Sequence, residues 1–240
     1  MNLARGRASR FTRDVTDETD PISEVERTRR ELEQRGLTRA ELDDDPFVQF
    51  HQWFDHAVAT GLYQPEAMAV ASADAEGVPS VRLVLLRRCD ERGFTFFTNY
   101  ASRKGVELLA NPNASIVFPW HPISRQVRVT GRAEAIAASE SDDYFVTRPR
   151  GSQISAWASP QSAVVADRAA LEALRAAEEE RWEGVDVERP PHWGGFRIVP
   201  TELEFWQGRI NRFHDRFRYR RPDDTAAGAE AGWVIDQLGP

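Results

Sequence analysis

Three stretches of the sequence gather arginine, hydroxyl and aromatic side chains at spacings suited to an anion or a small aromatic molecule. The first runs from Arg82 to Lys104: VRLVLLRR, a turn, FTFFTN and then ASRKG. ASRKG reads as the opening of a helix, whose N-terminus presents unpaired N–H groups and the positive end of a dipole. Ser102, Arg103 and Lys104 add a hydroxyl and two cations, which outlines a phosphate cradle. An ordinary capped helix with solvated charges has the same letters. The second stretch, YFVTRPRGSQISAWASPQS over 144–162, sets Arg148 and Arg150 on either side of Pro149 and adds Ser152 and Gln153. It fits either a second anion site or a solvated loop. In the third, Glu204 to Arg221, six arginines alternate with aromatic residues. Such a stripe can stack on single-stranded nucleic acid, but Asp215 interrupts it. Arg212, His214 and Arg216 fall on one face of a strand by period-two alternation. Beside Trp206 they read better as the wall of a small-molecule pocket.

Other chemistries are not written in the chain. It contains no Walker A loop, no G-x-G-x-x-G, no G-x-S-x-G and no H-E-x-x-H. His51 and His56 lie five apart, the wrong spacing for a shared metal face on a helix. The single cysteine, Cys89, excludes an internal disulfide framework and a Cys-rich zinc site, and fits a reducing cytosol. With 31 Lys+Arg against 38 Asp+Glu the net charge is −7, which argues against a general nucleic-acid or anionic-membrane binder. No apolar run approaches the roughly 18 residues of a membrane helix, and the N-terminus lacks the apolar stretch of a secretory signal. A cytoplasmic location is therefore expected. Of the 31 basic residues only Lys104 is lysine, a skew that genomic composition alone can produce.

The elements that would position these residues are legible from turns and periodicity. Residues 1–24 read as a disordered arm and 25–45 as a helical lid segment broken at Gly36; 46–240 form one domain. Asp43–Asp45 and Pro46 resemble a helix start, followed by Phe47, Phe50, Phe54 and Val58 at helical spacing. Strands are expected at 67–73, 81–88, 94–99, 114–120, 126–135, 196–199, 203–207, 216–220 and 233–238. The signals Asp74-Ala-Glu-Gly77 and Asp90-Glu-Arg-Gly93 separate the first three. Helices are expected at 102–110, 139–147 and 163–182. Many short hairpin-linked strands with helices in the connections predict a mainly β, α+β fold: an antiparallel Greek-key-like barrel with peripheral helices.

Six segments, in order, make the chain resemble the pyridoxine/pyridoxamine 5′-phosphate oxidase family. They are RLVLLR (82–87), FFTNYASRKG (96–105), FPWHPISRQVRVTG (118–131), YFVTRPRGSQISAWASPQS (144–162), WGGFRIVP (193–200) and EFWQGRINRFHDR (204–216). The resemblance covers about Pro46 to the C-terminus. It implies an FMN-binding split β-barrel, a homodimer with FMN at the subunit interface, and oxidation of phosphorylated B6 vitamers by O2 with release of H2O2. It assigns the FMN phosphate to Arg82, Arg103 and Lys104, with the strand Arg82, Leu83, Val84, Leu85, Leu86 and Arg87 beside the flavin. Phe97, Thr98, Gln126, Gln161, Ser162, Trp206 and Arg216 match the remaining FMN contacts. The substrate phosphate would meet Arg87, Tyr144, Arg148 and Ser152, and Arg29 belongs to the lid. Arg212 and His214 match the pair that covers the reacting ring. This chain departs from the family pattern at three places: Arg87 stands for a usual lysine, and Phe97 and Leu32 for common tyrosines. A phenazine-pathway flavin oxidase and a non-enzymatic flavin or haem binder are the rival readings on the same barrel.

Overall fold

A computed structural model describes residues 23–222 and 232–240. Of the arm expected over 1–24, residues 1–22 lie outside the described residues. Ser23 caps α1 (Glu24–Arg35), its hydroxyl accepting from Glu26 N at 3.2 Å. Gly36, at φ +73°, ends the helix in the left-handed region that glycine tolerates. Asp45 accepts from Phe47 N to cap α2 (Pro46–Ala59), and Pro46 occupies the first turn where its missing N–H costs nothing. Phe47, Phe50, Trp53 and Ala57 recur on the face of α2 that is buried.

The strands follow as β1 (Ala67–Ala73), β2 (Pro79–Leu85), β3 (Arg88–Asp90) and β4 (Gly93–Asn99). After α3 (Arg103–Ala110) come β5 (Asn113–Phe118) and β6 (Arg125–Ala135). Three helices, α4 (Ala138–Val146), α5 (Arg150–Ala158) and α6 (Arg168–Arg181), precede β7 (Trp193–Gln207), β8 (Asp215–Arg220) and β9 (Val234–Leu238). Every pairing is antiparallel, in the order β2-β1-β5-β6-β7-β4-β3, with β8 on the C-terminal half of β7 and β9 beyond it. Among the described residues no ladder joins the two ends of the sheet, β2 and β3, so the barrel is open. Alternate residues of β1, β4, β5, β6, β7 and β8 point inward, and α2 closes the interior. Phe50 lies 4.9 Å, ring to ring, from both Phe94 and Phe118.

Several boundaries differ from the sequence reading. The stretch expected as one strand over 81–88 is interrupted. Leu86 N still donates to Glu66 O (2.9 Å) beside β1, but Arg87 N turns to Thr95 O of β4 (2.8 Å). The chain changes partners there and bends the sheet. Conversely, the strands expected at 196–199 and 203–207 are one, β7, with a bulge at Thr201. Thr130 pairs with Glu202 and Gly131 with Pro200, which leaves Thr201 unpaired opposite the shift. Gly131 is required there, since a Cβ would lie 2.0 Å from Val199 O. The helix expected over 163–182 starts only at Arg168, capped by the Asp167 side chain accepting from Ala170 N (2.8 Å). The stretch after Pro149, offered as a loop or an anion site, is α5.

Candidate functional site

A cavity of about 700 Å³ opens between β2, β4, α3 and the α4–α5 corner. Strand β2 contributes Arg82, Leu83, Val84 and Leu85 to its wall, and the bend after it contributes Arg87. Leu86, assigned to the same wall, points the other way and is buried in the core. From β4 come Phe97 and Thr98, and from the corner Tyr144, Arg148 and Ser152. Lys104 and Gln161 complete the expected members.

The end beside α3 is cationic. Ser102 is fully buried as the helix cap, its Oγ donating to Asn99 O (2.6 Å) and accepting from Gly105 N (3.3 Å). That fixes the first turn and aims Lys104 into the cavity. Lys104 Nζ donates to Gln161 Oε1 (2.7 Å), Thr98 Oγ1 (3.1 Å) and Ser102 Oγ (3.3 Å), all of them neutral acceptors. Burial and the nearby Arg82 charge hold the Lys104 pKa below the ordinary lysine value. Ser162, at φ +74°, accepts from Arg103 N (3.2 Å) at the rim. Arg103 itself is directed to Glu107, Nε to Oε1 at 2.7 Å. Arg82 donates to Ser72 Oγ (2.5 Å), to Ser80 Oγ, and to Glu107 Oε2 (3.3 Å).

The opposite end holds the second cation on aromatic rings. Phe97 stacks on Tyr144 at 4.1 Å and on Trp193 at 5.3 Å. The Arg148 guanidinium sits 4.4 Å over Trp193, and its Nη1 is buried with no hydrogen-bond partner among the described residues. Burial lowers the Arg148 pKa, Tyr144 opposes that shift and Arg87 adds to it. A buried guanidinium nitrogen without an acceptor is costly unless a ligand supplies one. Trp193, Thr147 and Pro149 line the cavity and had no role in the sequence reading. Trp193 opened the quoted WGGF segment, so it was in view but unassigned.

The remaining expected residues do not reach this cavity. Gln126, Trp206 and Arg216 are directly opposed across β6, β7 and β8 and share one face of the sheet. Arg216 is clamped by Glu204 (2.9 and 3.1 Å), and the Trp206 ring lies 4.6 Å from that of His214. His214 Nδ1 accepts from Arg209 N at 3.0 Å, which leaves Nε2 to face outward. Arg212 is exposed on a tight turn where Asn211 and Arg212 both take positive φ, 64° and 61°. Gly194, opposite Thr98 of the cavity, and Trp206 are twelve residues apart on β7, about 40 Å of extended strand. Arg29 is exposed on α1 and paired with Glu33 (2.9 Å). The candidate residues therefore fall into two separate groups that do not meet within the chain. Neither His51 nor His56 belongs to a metal cluster among the described residues, and no described helix is long and apolar enough to cross a membrane.

The structure thus sets an aromatic-lined cavity, with cationic side chains at each end, in the wall of an open antiparallel barrel. The comparisons are specific. Residues 54–182 match the family described as pyridoxamine 5′-phosphate oxidase, and residues 193–240 match the pyridoxine 5′-phosphate oxidase C-terminal dimerisation region. The pyridoxine/pyridoxamine 5′-phosphate oxidase of Salinibacter ruber is 48% identical over 220 residues, covering 91% of this chain and 100% of its own. That of Burkholderia multivorans is 52% identical over 210 residues, covering 85% and 96%. Among solved structures, PhzG from Burkholderia lata, in complex with tetrahydrophenazine-1-carboxylic acid, superposes with a TM-score of 0.78 at 31% identity, covering 87% and 100%. A pyridoxamine 5′-phosphate oxidase-related, FMN-binding protein from Nostoc punctiforme shares the fold, with a TM-score of 0.62 at 16% identity, covering 83% and 100%. The chain belongs to the pyridoxine/pyridoxamine 5′-phosphate oxidase family, and its fold is that family's split barrel.

Proposed function

We propose that the protein is an FMN-dependent oxidase that converts pyridoxamine 5′-phosphate, pyridoxine 5′-phosphate or both to pyridoxal 5′-phosphate. The observation that carries this reading is the pairing, in one cavity, of two cation groups separated by a ring-lined wall. The FMN fit rests on Lys104, whose charge meets only neutral acceptors, and on the backbone of Leu83–Leu85, which offers a flat strand edge to a planar ring. Arg82, Arg103 and Lys104 would hold the FMN phosphate. The substrate phosphate would meet Arg148, Ser152, Tyr144 and Arg87, where the orphaned Arg148 nitrogen supplies a donor.

When bound, FMN supplies the two-electron chemistry, with O2 as the terminal acceptor and H2O2 released. The chain's own residues orient the substrate and exclude water. Arg148 and Ser152 fix one end of the pyridine, which turns a bimolecular encounter into a positioned one. Arg212 and His214 lie in the turn past the far end of β7, outside this cavity, so in this reading they come from a second copy, as do Gln126, Trp206 and Arg216. The dimerisation region matched over 193–240 contains four of these five residues. Facing the ring, His214 would present Nε2, because Nδ1 is occupied by the Arg209 amide.

The test is a visible spectrum of the purified protein, then H2O2 release with each phosphorylated vitamer. A yellow protein with vitamer-dependent peroxide is expected, and Arg212→Ala should lose turnover while keeping its colour. A protein that cannot take up FMN sinks the proposal. One that oxidises a reduced tricyclic carboxylate, and neither vitamer, would favour the chemistry of the PhzG neighbour instead.

A further inference from the structure

Glu107 stands one turn beyond Arg103 on α3 and is almost completely buried, at 4% exposure. A lone buried carboxylate is costly, yet this one is surrounded by donors. Its Oε2 accepts from Ser72 Oγ of β1 (2.6 Å), from Ser80 Oγ of β2 and from Arg82 Nη2 (3.3 Å). Its Oε1 accepts from Arg103 Nε (2.7 Å). Burial alone would raise the Glu107 pKa, but these hydrogen bonds outweigh it and pull the carboxyl down to about 2. Glu107 is therefore ionised at any working pH.

The geometry has two consequences. A single carboxylate grips two guanidinium groups that come from different elements, one on a strand and one on a helix. Arg103 is gripped through Nε, which leaves its two terminal nitrogens directed outward. Charge is also matched. Arg82, Arg103 and Lys104 carry three positive charges, and among the described residues Glu107 is the one carboxylate bonded to this set. The remainder is two positive charges, the complement of a phosphate monoester, which carries about −1.5 to −2 near pH 7.

We infer that Glu107 is a positioning residue for the phosphate end of the flavin, bracing Arg82 and Arg103 and trimming the cradle charge to that of a phosphate monoester dianion. This rests on the reading that Arg82, Arg103 and Lys104 hold the FMN phosphate. Glu107 does not line the cavity, so its effect is expected at the phosphate and not at the ring.

Riboflavin, the same ring system without the phosphate, separates bracing from general structural support. Apoprotein is titrated with FMN and with riboflavin, following quenching of flavin fluorescence. Glu107→Gln is expected to weaken FMN binding about tenfold, the scale of one charge-assisted hydrogen bond, while riboflavin affinity stays within about twofold. Equal losses for both ligands, an unchanged ratio or tighter FMN binding would overturn the inference. Should Glu107→Gln fail to fold, Ser80→Ala removes one hydroxyl between Glu107 and Arg82 at a partly exposed position. A smaller shift of the ratio in the same direction is then expected, and no shift overturns it. Arg82→Met is run in parallel. If it leaves the FMN-to-riboflavin ratio unchanged, the phosphate assignment falls and this inference with it. If Arg82→Met lowers the ratio and Glu107→Gln does not, only the role of Glu107 is refuted.

Discussion

Replacing Lys104 by methionine should move binding and stability in different directions. The ammonium is half-buried and makes three hydrogen bonds, none to a carboxylate. Without an anion it is a desolvated charge beside Arg82, which is why its pKa lies below the ordinary value. Methionine keeps an unbranched stem as far as Cε and removes the ammonium, so the apoprotein should melt at the same temperature or slightly higher. If Lys104 meets the FMN phosphate as proposed, the variant lacks a charge-assisted hydrogen bond worth about 1.5–3 kcal/mol. That predicts roughly 10- to 150-fold weaker binding at neutral pH. Fluorescence titration of apoprotein gives the affinity, and thermal unfolding of the same samples gives the stability. An unchanged affinity would mean that Lys104 does not meet the phosphate. A large loss of apoprotein stability would mean that its bonds to Gln161 and Thr98 hold the α3 corner together, and the argument from an uncompensated charge would fail.

Two further expectations follow from the buried charges of Arg148 and Glu107. Arg148→Met should raise KM for a phosphorylated vitamer by roughly tenfold to a hundredfold and leave FMN affinity unchanged, as read by steady-state peroxide release and flavin titration; an unaltered KM would take the substrate phosphate away from Arg148. Glu107 titrates near 2 in the folded chain and near 4.3 when unfolded. Its stabilisation, on the order of 3 kcal/mol, is therefore full above about pH 4.5 and disappears as the pH falls towards 2. The stability gap between wild type and Glu107→Gln, measured by urea unfolding, should shrink between pH 6 and pH 2.5, and a constant gap would contradict that balance.

The strands at the front of the barrel were legible because their turns are written in residues with a conformational reason. Gly77 and Gly93, at φ 83° and 136°, close the Asp-led turns that bound them. Gly36 likewise ends α1. Where reading failed, a local signal had a non-local explanation. Pro200-Thr201 looks like a turn between two strands, but proline is also tolerated at a bulge, and only the pairing with β6 distinguishes them. Arg-Pro-Arg looks solvated, and Arg150 is indeed exposed. Arg148 instead folds onto Trp193, a contact spanning 45 residues of sequence that no periodicity reports. The Ser102 cap and the Lys104 that lines the cavity were legible together, since cap and cations are neighbours in the chain. Glu107 escaped because a glutamate in a short amphipathic helix reads as surface, and the two serines that bury it lie on other strands.

The separation of the candidate residues, some at the cavity and others past the far end of β7, bears on heredity and dilution. In the proposed dimer no chain owns a complete site, so activity would belong to pairs of molecules, and dilution that parts them would silence it. A lesion in one half also spoils a site whose other half is intact. By the same rule, two inactive variants, one damaged at Arg148 and the other at Arg212, can rebuild a working site when they associate. Selection on such a protein acts on the affinity of one copy for another as strongly as on the groups that touch the vitamer.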